Sequence, residues 1–294
     1  MTEQRVMRII TRLNVGGPAR QAILLTGSLR ARGYISHLVW GSVSRREGEL
    51  SVPQGASNTH APELRRELRP FDDVRAAQAL VSLIRGARPL IVHTHLAKAG
   101  ALGRTAAWRA RVPVVVHTFH GHTFEGYFSA PKRRTFLAAE RWLAKRTDCL
   151  IAVSSAVRDD LLALQIGTPD QWRVIPLGLD LGELLESRVD PAQARRALNL
   201  PEHGPIVGIV GRLTAIKDHE TFLRAAARIT HARPGVTFVV AGDGELRPKL
   251  EAEAKVLLGD KCRFLGWVFD LPMLYAALDV VVLTSRIVTT RLSS

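Results

Sequence analysis

The sequence predicts an α/β protein with two doubly wound parallel sheets in tandem. Short apolar runs rich in Val and Ile recur along the chain without the polar alternation of a half-exposed strand, which indicates strands buried on both faces. Each run is followed by a helical pattern, as in parallel strands joined by crossover helices. One polar, proline-punctuated stretch interrupts this rhythm before it restarts, which indicates a second domain.

The predicted elements follow that alternation. In the first domain, residues 1–180, strands are predicted at 5–13, 36–41, 90–95, 112–120, 148–154 and 172–178, and helices at 18–32, 74–89, 98–110, 131–146 and 156–164. Residues 41–69 are typical of a long polar loop with one weak strand. Residues 181–204 are the predicted crossover. In the second domain, residues 205–294, strands are predicted at 206–211, 236–241, 262–265 and 280–283, and helices at 218–231, 245–257 and 271–276.

The net charge of the chain is +14. A charge of this size attracts nucleic acid, anionic lipid or phosphorylated metabolites, and an arginine-rich surface background is the alternative interpretation. The arginines are scattered, and aromatic residues make up only 6% of the chain. Because nucleic-acid grooves need a basic stripe with interleaved aromatic rings, we expect no nucleic-acid partner.

Features of the chain that report on its compartment predict a cytoplasmic protein. Cys149 and Cys262 lie in separate apolar stretches, which is typical of buried thiols in a reducing cytosol. Charges interrupt the first apolar run, unlike a signal peptide. No apolar run reaches the ~18 residues of a membrane-spanning helix.

Candidate binding residues lie in the turns after the strands, where open parallel sheets bind their ligands. Gly16 and Gly17 follow the first strand and let a ligand approach a helix N-terminus, which favours an anion. In the second domain, Arg212 leaves a strand and Lys217 precedes a helix whose predicted N-cap is Asp218. Two cations and free N–H groups in one turn predict a diphosphate site, and two surface cations on a loop are the alternative.

Two further turns of the second domain carry glycines. Gly242 and Gly244 flank Asp243 after the second strand, and Leu265 and Gly266 end the third strand. Glycine permits close approach of another backbone or a ligand, so both turns are candidates for the same site.

Histidines gather at the ends of the third and fourth buried strands: His93, His95, His117, His120 and His122. No carboxylate or cysteine is placed to complete a metal site, which needs three or four ligands, so we expect no metal. Donors to sugar hydroxyls or phosphates are the favoured interpretation. Among them, His120 is best placed to face a ligand, because it precedes the permissive Gly121.

A set of motifs resembles the family 4 glycosyltransferases. In order, they are NVGGPARQ, HTHLAKAG, HTFHGH, VIPLGLD, VGIVGRLTAIKDHETFLRAA, VVAGDGEL, CRFLGWV and LYAALDVVVLTS. Each is weakly specific, but the ordered set covers nearly the whole chain. The resemblance implies a GT-B fold, in which two Rossmann-like domains face a cleft. It also implies transfer of a sugar, with retention and without a metal, from a nucleotide-diphosphate donor to a glycan or lipid-linked acceptor in cell-envelope polysaccharide synthesis.

The resemblance also implies roles for individual residues. Arg212 and Lys217 bind the donor diphosphate, and His120 faces the transferred sugar. The remaining donor-binding residues that it implies are Gly16, Gly17, Gly211, Gly242, Gly244 and Leu265.

The sequence departs from the family pattern after Ser285. The family continues with two glutamates eight positions apart, which contact the donor sugar and the ribose, whereas RIVTTRLSS contains no glutamate. From this pattern we expect an incomplete second domain and little or no transfer by the 294-residue chain. The alternative functions are a non-enzymatic remnant and a nucleotide-sugar epimerase of the same fold, which would need catalytic carboxylates that these turns scarcely offer.

The predicted helix 131–146 leaves two interpretations open. The residues on one side are apolar and those on the other are basic: Phe136, Ala139, Trp142 and Leu143 against Arg134, Arg141 and Lys145. A basic amphipathic helix of this kind can lie on an anionic membrane, here the inner face. An ordinary surface helix with its apolar side in the core is the favoured interpretation.

Overall fold

The computed structural model describes residues 4–44, 47–121 and 130–285. These residues form two compact units: 4–44 and 49–179 in the first, and 180–285 with Glu47 and Gly48 in the second. Each unit contains one parallel sheet with helices, so the predicted fold class is confirmed.

The first unit is built on a seven-stranded parallel sheet. Its strands are β1 (Gln4–Ile10), β2 (Tyr34–Trp40), β3 (Asn58–His60), β4 (Ile91–His95), β5 (Val114–Phe119), β6 (Cys149–Ala152) and β7 (Trp172–Val174). Its helices are α1 (Gly17–Ser28), α2 (Pro70–Ala87), α3 (Ala97–Arg109), α4 (Ala130–Ala144) and α5 (Ser155–Ala163). The strand order is β3-β2-β1-β4-β5-β6-β7, so the direction of winding reverses beside β1.

Both faces of the first sheet are covered. Met7 and Ile9 of β1 pack on one face with Ile84 of α2, and Ile10 packs on the other with Ala22 of α1. The uninterrupted apolar runs of the sequence therefore have their expected cause, because alternate residues enter two different cores.

The second unit repeats the plan on a smaller scale. Its helices are α6 (Gly182–Glu186), α7 (Pro191–Ala197), α8 (His219–Ala232), α9 (Arg247–Leu258) and α10 (Leu271–Ala277). Its strands are β8 (Ile206–Val210), β9 (Thr237–Ala241), β10 (Cys262–Gly266) and β11 (Val280–Val281), in the parallel order β10-β9-β8-β11. The winding reverses beside β8, as it does beside β1 in the first sheet.

The segment that the sequence predicts as a polar crossover is folded. It contains α6 and α7, and Ala194 and Leu200 are buried in a core with Ile206 of β8. A few apolar residues at helical spacing in a polar stretch are enough to fix it to the sheet.

Helix α4 buries some of its apolar side chains and exposes others. Leu137 and Leu143 are buried, and Glu140 forms a buried ion pair with Arg104 of α3 (2.6 Å). This supports the interpretation of an ordinary helix whose apolar side faces the core. Trp142, which the sequence places beside Leu143, is instead 42% exposed. Within the described ranges, no helix is both long and apolar enough to cross a bilayer.

One arginine ties α7 to the sheet of the second unit. Arg195 donates from Nη2 to Asp279 Oδ2 (2.9 Å), from Nε to the Ala277 carbonyl, and from Nη1 to the Glu202 carbonyl (2.9 Å). The same Asp279 oxygen accepts from the backbone N–H of Ile206, at the start of β8 (2.6 Å). The central strand β8 is therefore positioned partly through a side-chain network.

We expect Arg195→Met to lower the free energy of unfolding of the second unit by about 2–4 kcal/mol, because it leaves several acceptors without their donor. Urea unfolding measures the change. The matched control is Arg196→Met, which removes an exposed pair with Glu202 and should cost less than about 1 kcal/mol. Equal losses for the two variants would contradict the network's structural role.

Candidate functional site

The predicted site residues follow the strands in two groups, one in each unit. In the first unit, Gly16 and Gly17 follow β1 and His120 follows β5. In the second unit, the residues that follow β8 and β9 or lie in β10 are Gly211, Arg212, Lys217, Gly242, Gly244 and Leu265.

The turn after β8 brings Arg212 and Lys217 together. A short 3-10 helix, Ala215–Lys217, carries the chain from β8 to α8. The side chain of Lys217 crosses Gly211, with its Cδ atom 3.8 Å from where a Cβ on that glycine would lie. Burial, and then the nearby charge of Arg212, lowers the pKa of Lys217. Two like charges are thus held close together, which is a favourable arrangement for an anion.

Among the described residues of the second unit, Arg212 has one acidic neighbour, Glu47. Its Nη1 atom lies 3.8 Å from Glu47 Oε1, and the side chains of Arg212 and Glu47 are 36% and 11% exposed. At this separation the two groups attract each other without a hydrogen bond. Arg212 therefore keeps donors that an anionic ligand could use.

Asp218 precedes α8, as the sequence predicts, but it does not cap the helix through its side chain. Its backbone is left-handed (φ 50°), and within the described part of the chain its carboxylate accepts no capping hydrogen bond. The left-handed turn replaces the extended geometry that side-chain capping needs.

Thr284 fixes this turn from the other side, and sequence reasoning missed it. Its hydroxyl donates toward the carbonyls of Lys217 (3.0 Å) and Asp218 (2.9 Å). The bond ties the backbone of the cationic turn to the segment after β11. The only signal in the sequence is a hydroxyl residue directly after an apolar run.

His219, the first residue of α8, is a second residue that sequence reasoning missed. It is buried, and within the described residues neither ring nitrogen has a hydrogen-bond partner. Burial, and then the charge of Lys217, lowers the pKa of His219 to about 4. A neutral imidazole therefore lies beside the two cations.

The glycines after β9 are required by the packing of one turn against another. A Cβ on Gly242 would lie 2.0 Å from the Gly211 carbonyl oxygen, and one on Gly244 would lie 2.5 Å from that of Leu213. Gly242 also has φ 138°, which side chains rarely tolerate. The close approach that the sequence predicts is thus made by the neighbouring turn, and a contact of these glycines with a ligand stays a prediction.

Leu265 lies where the register of β10 shifts against β9, between Phe264 and Gly266. Its side chain is partly buried against a core that includes Ile206 and Ala277. The carbonyl of Gly266 accepts from the N–H of Gly242 (2.7 Å), so the end of β10 supports the glycine turn.

Gly16 and Gly17 are different, because packing within the chain requires neither. Gly16 has an extended backbone (φ 167°), and a Cβ there would have no heavy atom closer than 3.9 Å. A Cβ on Gly17 would meet Leu177 at an ordinary 3.6 Å. The pair begins α1, a 12-residue helix without a side-chain cap in the described chain. An open helix N-terminus of this kind suits an anion.

The histidines in and after β4 and β5 divide between the two faces of the sheet. His117 bonds to Thr94 Oγ1 on one face (2.8 Å). On the other face, His93 bonds to Thr118 Oγ1 (2.7 Å), and Nδ1 of His95 lies 3.0 Å from Nε2 of His120. Only His120 retains partial exposure among His93, His95, His117 and His120.

Burial sets the charge of this histidine cluster. It holds the pKa values of His93, His95 and His117 well below the ordinary value, and it lowers the pKa of His120 to about 4. The charge of the buried Arg8 on β1 acts in the same direction on His93 and His95. At neutral pH the cluster therefore consists of neutral rings.

The structure describes no metal cluster. Within residues 4–44, 47–121 and 130–285, no three His, Cys, Asp or Glu side chains are grouped to hold an ion. His122 and the residues after Ser285 lie outside these ranges, and the expectation of a metal-free site stays a prediction.

The chain matches two family models and is similar to known proteins. The family model Glycosyltransferase Family 4 matches residues 15–183, and Glycosyl transferases group 1 matches residues 204–293. A similar protein is the UDP-Gal:alpha-D-GlcNAc-diphosphoundecaprenol alpha-1,3-galactosyltransferase of Escherichia coli, 34% identical over 76% of this chain and 59% of the relative. The D-inositol 3-phosphate glycosyltransferase of Salinispora tropica is 32% identical over 66% of this chain and 45% of the relative. The chain thus spans about half of the length of these relatives.

Solved structures share the fold. HepE (Alr3699) from Anabaena, in complex with UDP and glucose, has a TM-score of 0.77 at 20% identity over 96% of this chain and 74% of that one. The sucrose-phosphate synthase of Thermosynechococcus elongatus has a TM-score of 0.77 at 22% identity over 99% and 77%. At these identities the similarity concerns the fold.

We expect the protein to lose stability as the pH falls from 7 to 5. His120 is neutral in the folded protein down to about pH 4, whereas in the unfolded chain it takes up a proton near pH 6.5. The unfolded state therefore binds more protons in this window, which costs about 2 kcal/mol at pH 5 from His120 alone.

Urea unfolding at the two pH values measures this loss. His120→Gln removes the titrating ring and should therefore reduce the loss of stability by about 2 kcal/mol. The loss that remains comes from the other histidines, which still titrate in the variant. An identical pH dependence in wild type and variant would show that His120 is not held neutral by the fold.

Proposed function

The chain belongs to glycosyltransferase family 4, and from this premise we propose that it moves a sugar, with retention, from a nucleotide-diphosphate donor to an acceptor hydroxyl. The observation that carries the proposal is the turn after β8. There, Arg212 and Lys217 are held together at the start of α8, beside the neutral His219. A forked guanidinium, an ammonium group and backbone N–H groups suit a diphosphate.

In the proposed reaction these cations act on the leaving group. The bond between the anomeric carbon and the phosphate oxygen breaks, and its electron pair leaves with the nucleoside diphosphate. The acceptor oxygen bonds to the anomeric carbon and loses its proton. Because negative charge grows on the diphosphate, prearranged cations stabilise the transition state more than the bound donor, which lowers the barrier.

We further propose that His120 faces the transferred sugar and that Gly16 and Gly17 contact the diphosphate. The support is that packing requires neither glycine, and that His120 is the partly exposed member of its cluster. No metal enters the proposal, because Arg212 and Lys217 supply positive charge at the leaving group.

The proposed acceptor is a glycan or a lipid-linked sugar of cell-envelope polysaccharide synthesis. It is supported by the name of the Escherichia coli relative, whose acceptor is a diphosphoundecaprenol-linked sugar. Other relatives are named for a different compound, as in the D-inositol 3-phosphate glycosyltransferase of Salinispora tropica.

An exposed aromatic pair supports peripheral contact with an anionic membrane at its cytoplasmic face. Trp108 at the end of α3 and Trp142 of α4 are 50% and 42% exposed, with ring centroids 6.0 Å apart. The guanidinium of Arg146 lies 3.9 Å from the ring centroid of Trp142. The exposed cations Arg109 and Lys145 are adjacent in sequence to this group. Indole rings beside cations suit the interface between lipid headgroups and water.

We expect the chain to bind a nucleoside diphosphate through the cationic turn. With UDP, GDP and ADP as probes in calorimetry, Arg212→Ala should weaken the preferred nucleotide about 10–100-fold, because a charged hydrogen bond is worth about 1.5–3 kcal/mol. Lys217→Ala should act on the same step, and the two losses should not add, because both side chains address one diphosphate.

The control is Arg224→Ala, which removes an exposed arginine of α8 bonded to Thr221 and should leave nucleotide binding unchanged. Wild-type affinity in both Arg212→Ala and Lys217→Ala would refute the assignment. Sugar release from the matching nucleotide sugars then tests transfer separately from binding.

We expect vesicles that contain phosphatidylglycerol, but not those of phosphatidylcholine alone, to bind the chain. Arg109→Gln and Lys145→Gln together should weaken this binding about 30-fold, because each charge near the surface contributes about 1 kcal/mol. The matched control removes two exposed arginines of α2, in Arg75→Gln with Arg85→Gln. Equal weakening in the two double variants would show a general charge effect and no specific surface.

A further inference from the structure

We infer that Thr284 is a positioning residue, which holds Lys217 in place for an anion by bonding to the backbone of the turn after β8. Its Oγ1 atom lies 3.0 Å from the carbonyl oxygen of Lys217 and 2.9 Å from that of Asp218. Thr284 contacts no ligand in this scheme and acts only through Lys217. The inference takes its ligand, a nucleoside diphosphate, from the proposed function, whereas its effect on the backbone can be measured without a ligand.

Strand β11 anchors Thr284 beside this turn. β11 lies parallel to β8 in the sheet, with Val281 opposite Gly208. The next residue, Val282, donates its N–H to the Gly208 carbonyl (2.8 Å), and its side chain packs against a core of the second unit. Thr284 therefore leaves the sheet at the edge where β8 also ends, and the sheet holds its hydroxyl against the turn.

The Lys217 carbonyl depends on Thr284 for its hydrogen bond. The N–H of Lys217 donates to the Thr214 carbonyl (3.0 Å), and its own carbonyl accepts from Thr284. Among the described residues, no other hydrogen bond is formed to that carbonyl. The Asp218 carbonyl differs, because it also accepts from the N–H of Thr221 (3.1 Å). Loss of the Thr284 hydroxyl would therefore affect the Lys217 carbonyl most.

The bond to Lys217 opposes one specific rearrangement of the backbone. Asp218 has a left-handed backbone (φ 50°, ψ 49°), which residues other than glycine adopt at a cost in energy. If the peptide group between Lys217 and Asp218 turned over, ψ of the first residue and φ of the second would change, and Asp218 would be released. The same motion would turn the Lys217 carbonyl away from Thr284. The hydrogen bond thus stabilises the orientation that the left-handed residue requires.

This peptide group also closes the 3-10 turn that carries Lys217. The N–H of Asp218 belongs to the same peptide group and donates to the Ala215 carbonyl (3.3 Å). If the group turned over, this bond would break and the 3-10 turn would open. The side chain of Lys217 would then lose its fixed place across Gly211 and near Arg212. An anion that is bound by both cations would be held less tightly.

The backbone of Asp218 tests the first step without a ligand. NMR chemical shifts, and the coupling between its amide and α protons, distinguish a left-handed backbone from a right-handed or extended one. We expect the left-handed form in the wild type. Thr284→Val keeps the shape of the side chain without the hydroxyl, so Asp218 should leave the left-handed form. Thr284→Ser keeps the hydroxyl and should retain that form.

Calorimetry with UDP, GDP and ADP tests the second step. For the nucleotide that the wild type prefers, Thr284→Val should weaken binding about 10-fold, because it loosens one of two charged contacts. Thr284→Ser should restore most of the loss. In the Lys217→Ala background, Thr284→Val should have little further effect, because Thr284 acts through Lys217.

The matched control is Thr230→Val. It removes the same kind of bond near the other end of α8, where the Thr230 hydroxyl donates to the Ala226 carbonyl (3.0 Å). We expect it to lower the stability of the second unit without changing nucleotide affinity or the backbone of Asp218. Equal weakening of nucleotide binding by Thr284→Val and Thr230→Val would reduce Thr284 to a general structural role and overturn the inference.

A left-handed Asp218 in Thr284→Val would also overturn the inference, as would an unchanged nucleotide affinity in that variant or the same loss in the Lys217→Ala background. A right-handed or extended Asp218 in the wild type would overturn it even where Thr284→Val does not fold. If the wild type binds none of the three nucleotides, the proposed function fails, and the response of the Asp218 backbone alone decides the positioning role.

Discussion

In a parallel sheet the carboxyl ends of all the strands lie at the same edge, because all the strands run in the same direction. This constraint gathers the candidate residues of each unit. Gly16 and Gly17 follow β1, and Arg212 follows β8, the two strands beside which the winding of their sheets reverses. Loops on the two sides of such a strand diverge, which leaves room for a ligand. The remaining features of the site refine a position that the topology already defines.

The two groups of residues differ in charge: one presents cations and the other presents neutral rings. In the second unit, Lys217 and Arg212 lie close together as cations, and a bound anion would relieve their repulsion. In the first unit, burial keeps His95 and His120 neutral, so they offer direction and hydrogen bonds but no charge.

Periodicity and turn residues predict the central strands, the helices that cross between them and the cationic turn, since each is a local property of the chain. They miss α6 and α7, which lie in the segment predicted as a polar crossover. The same reasoning does not reach the hydrogen bond between His95 and His120, or that between Thr284 and the Lys217 carbonyl. Both join segments that are brought together by strand register, which no local pattern specifies. Asp218 shows the same limit on a smaller scale. Its position before α8 is predicted, but its left-handed backbone depends on the turn around it.

The interlocked turns after β8 and β9 bear on how this site can change over evolution. With the Gly211 carbonyl 2.0 Å from where a Cβ on Gly242 would lie, neither turn can gain a side chain at that point without displacing the other. A new side chain is better accommodated where the backbone is not so confined, as at Gly16, where a Cβ would have no heavy atom closer than 3.9 Å. A mutational library that varies Gly242 would mostly sample misfolded proteins. One that varies Gly16 would sample variants with an intact scaffold.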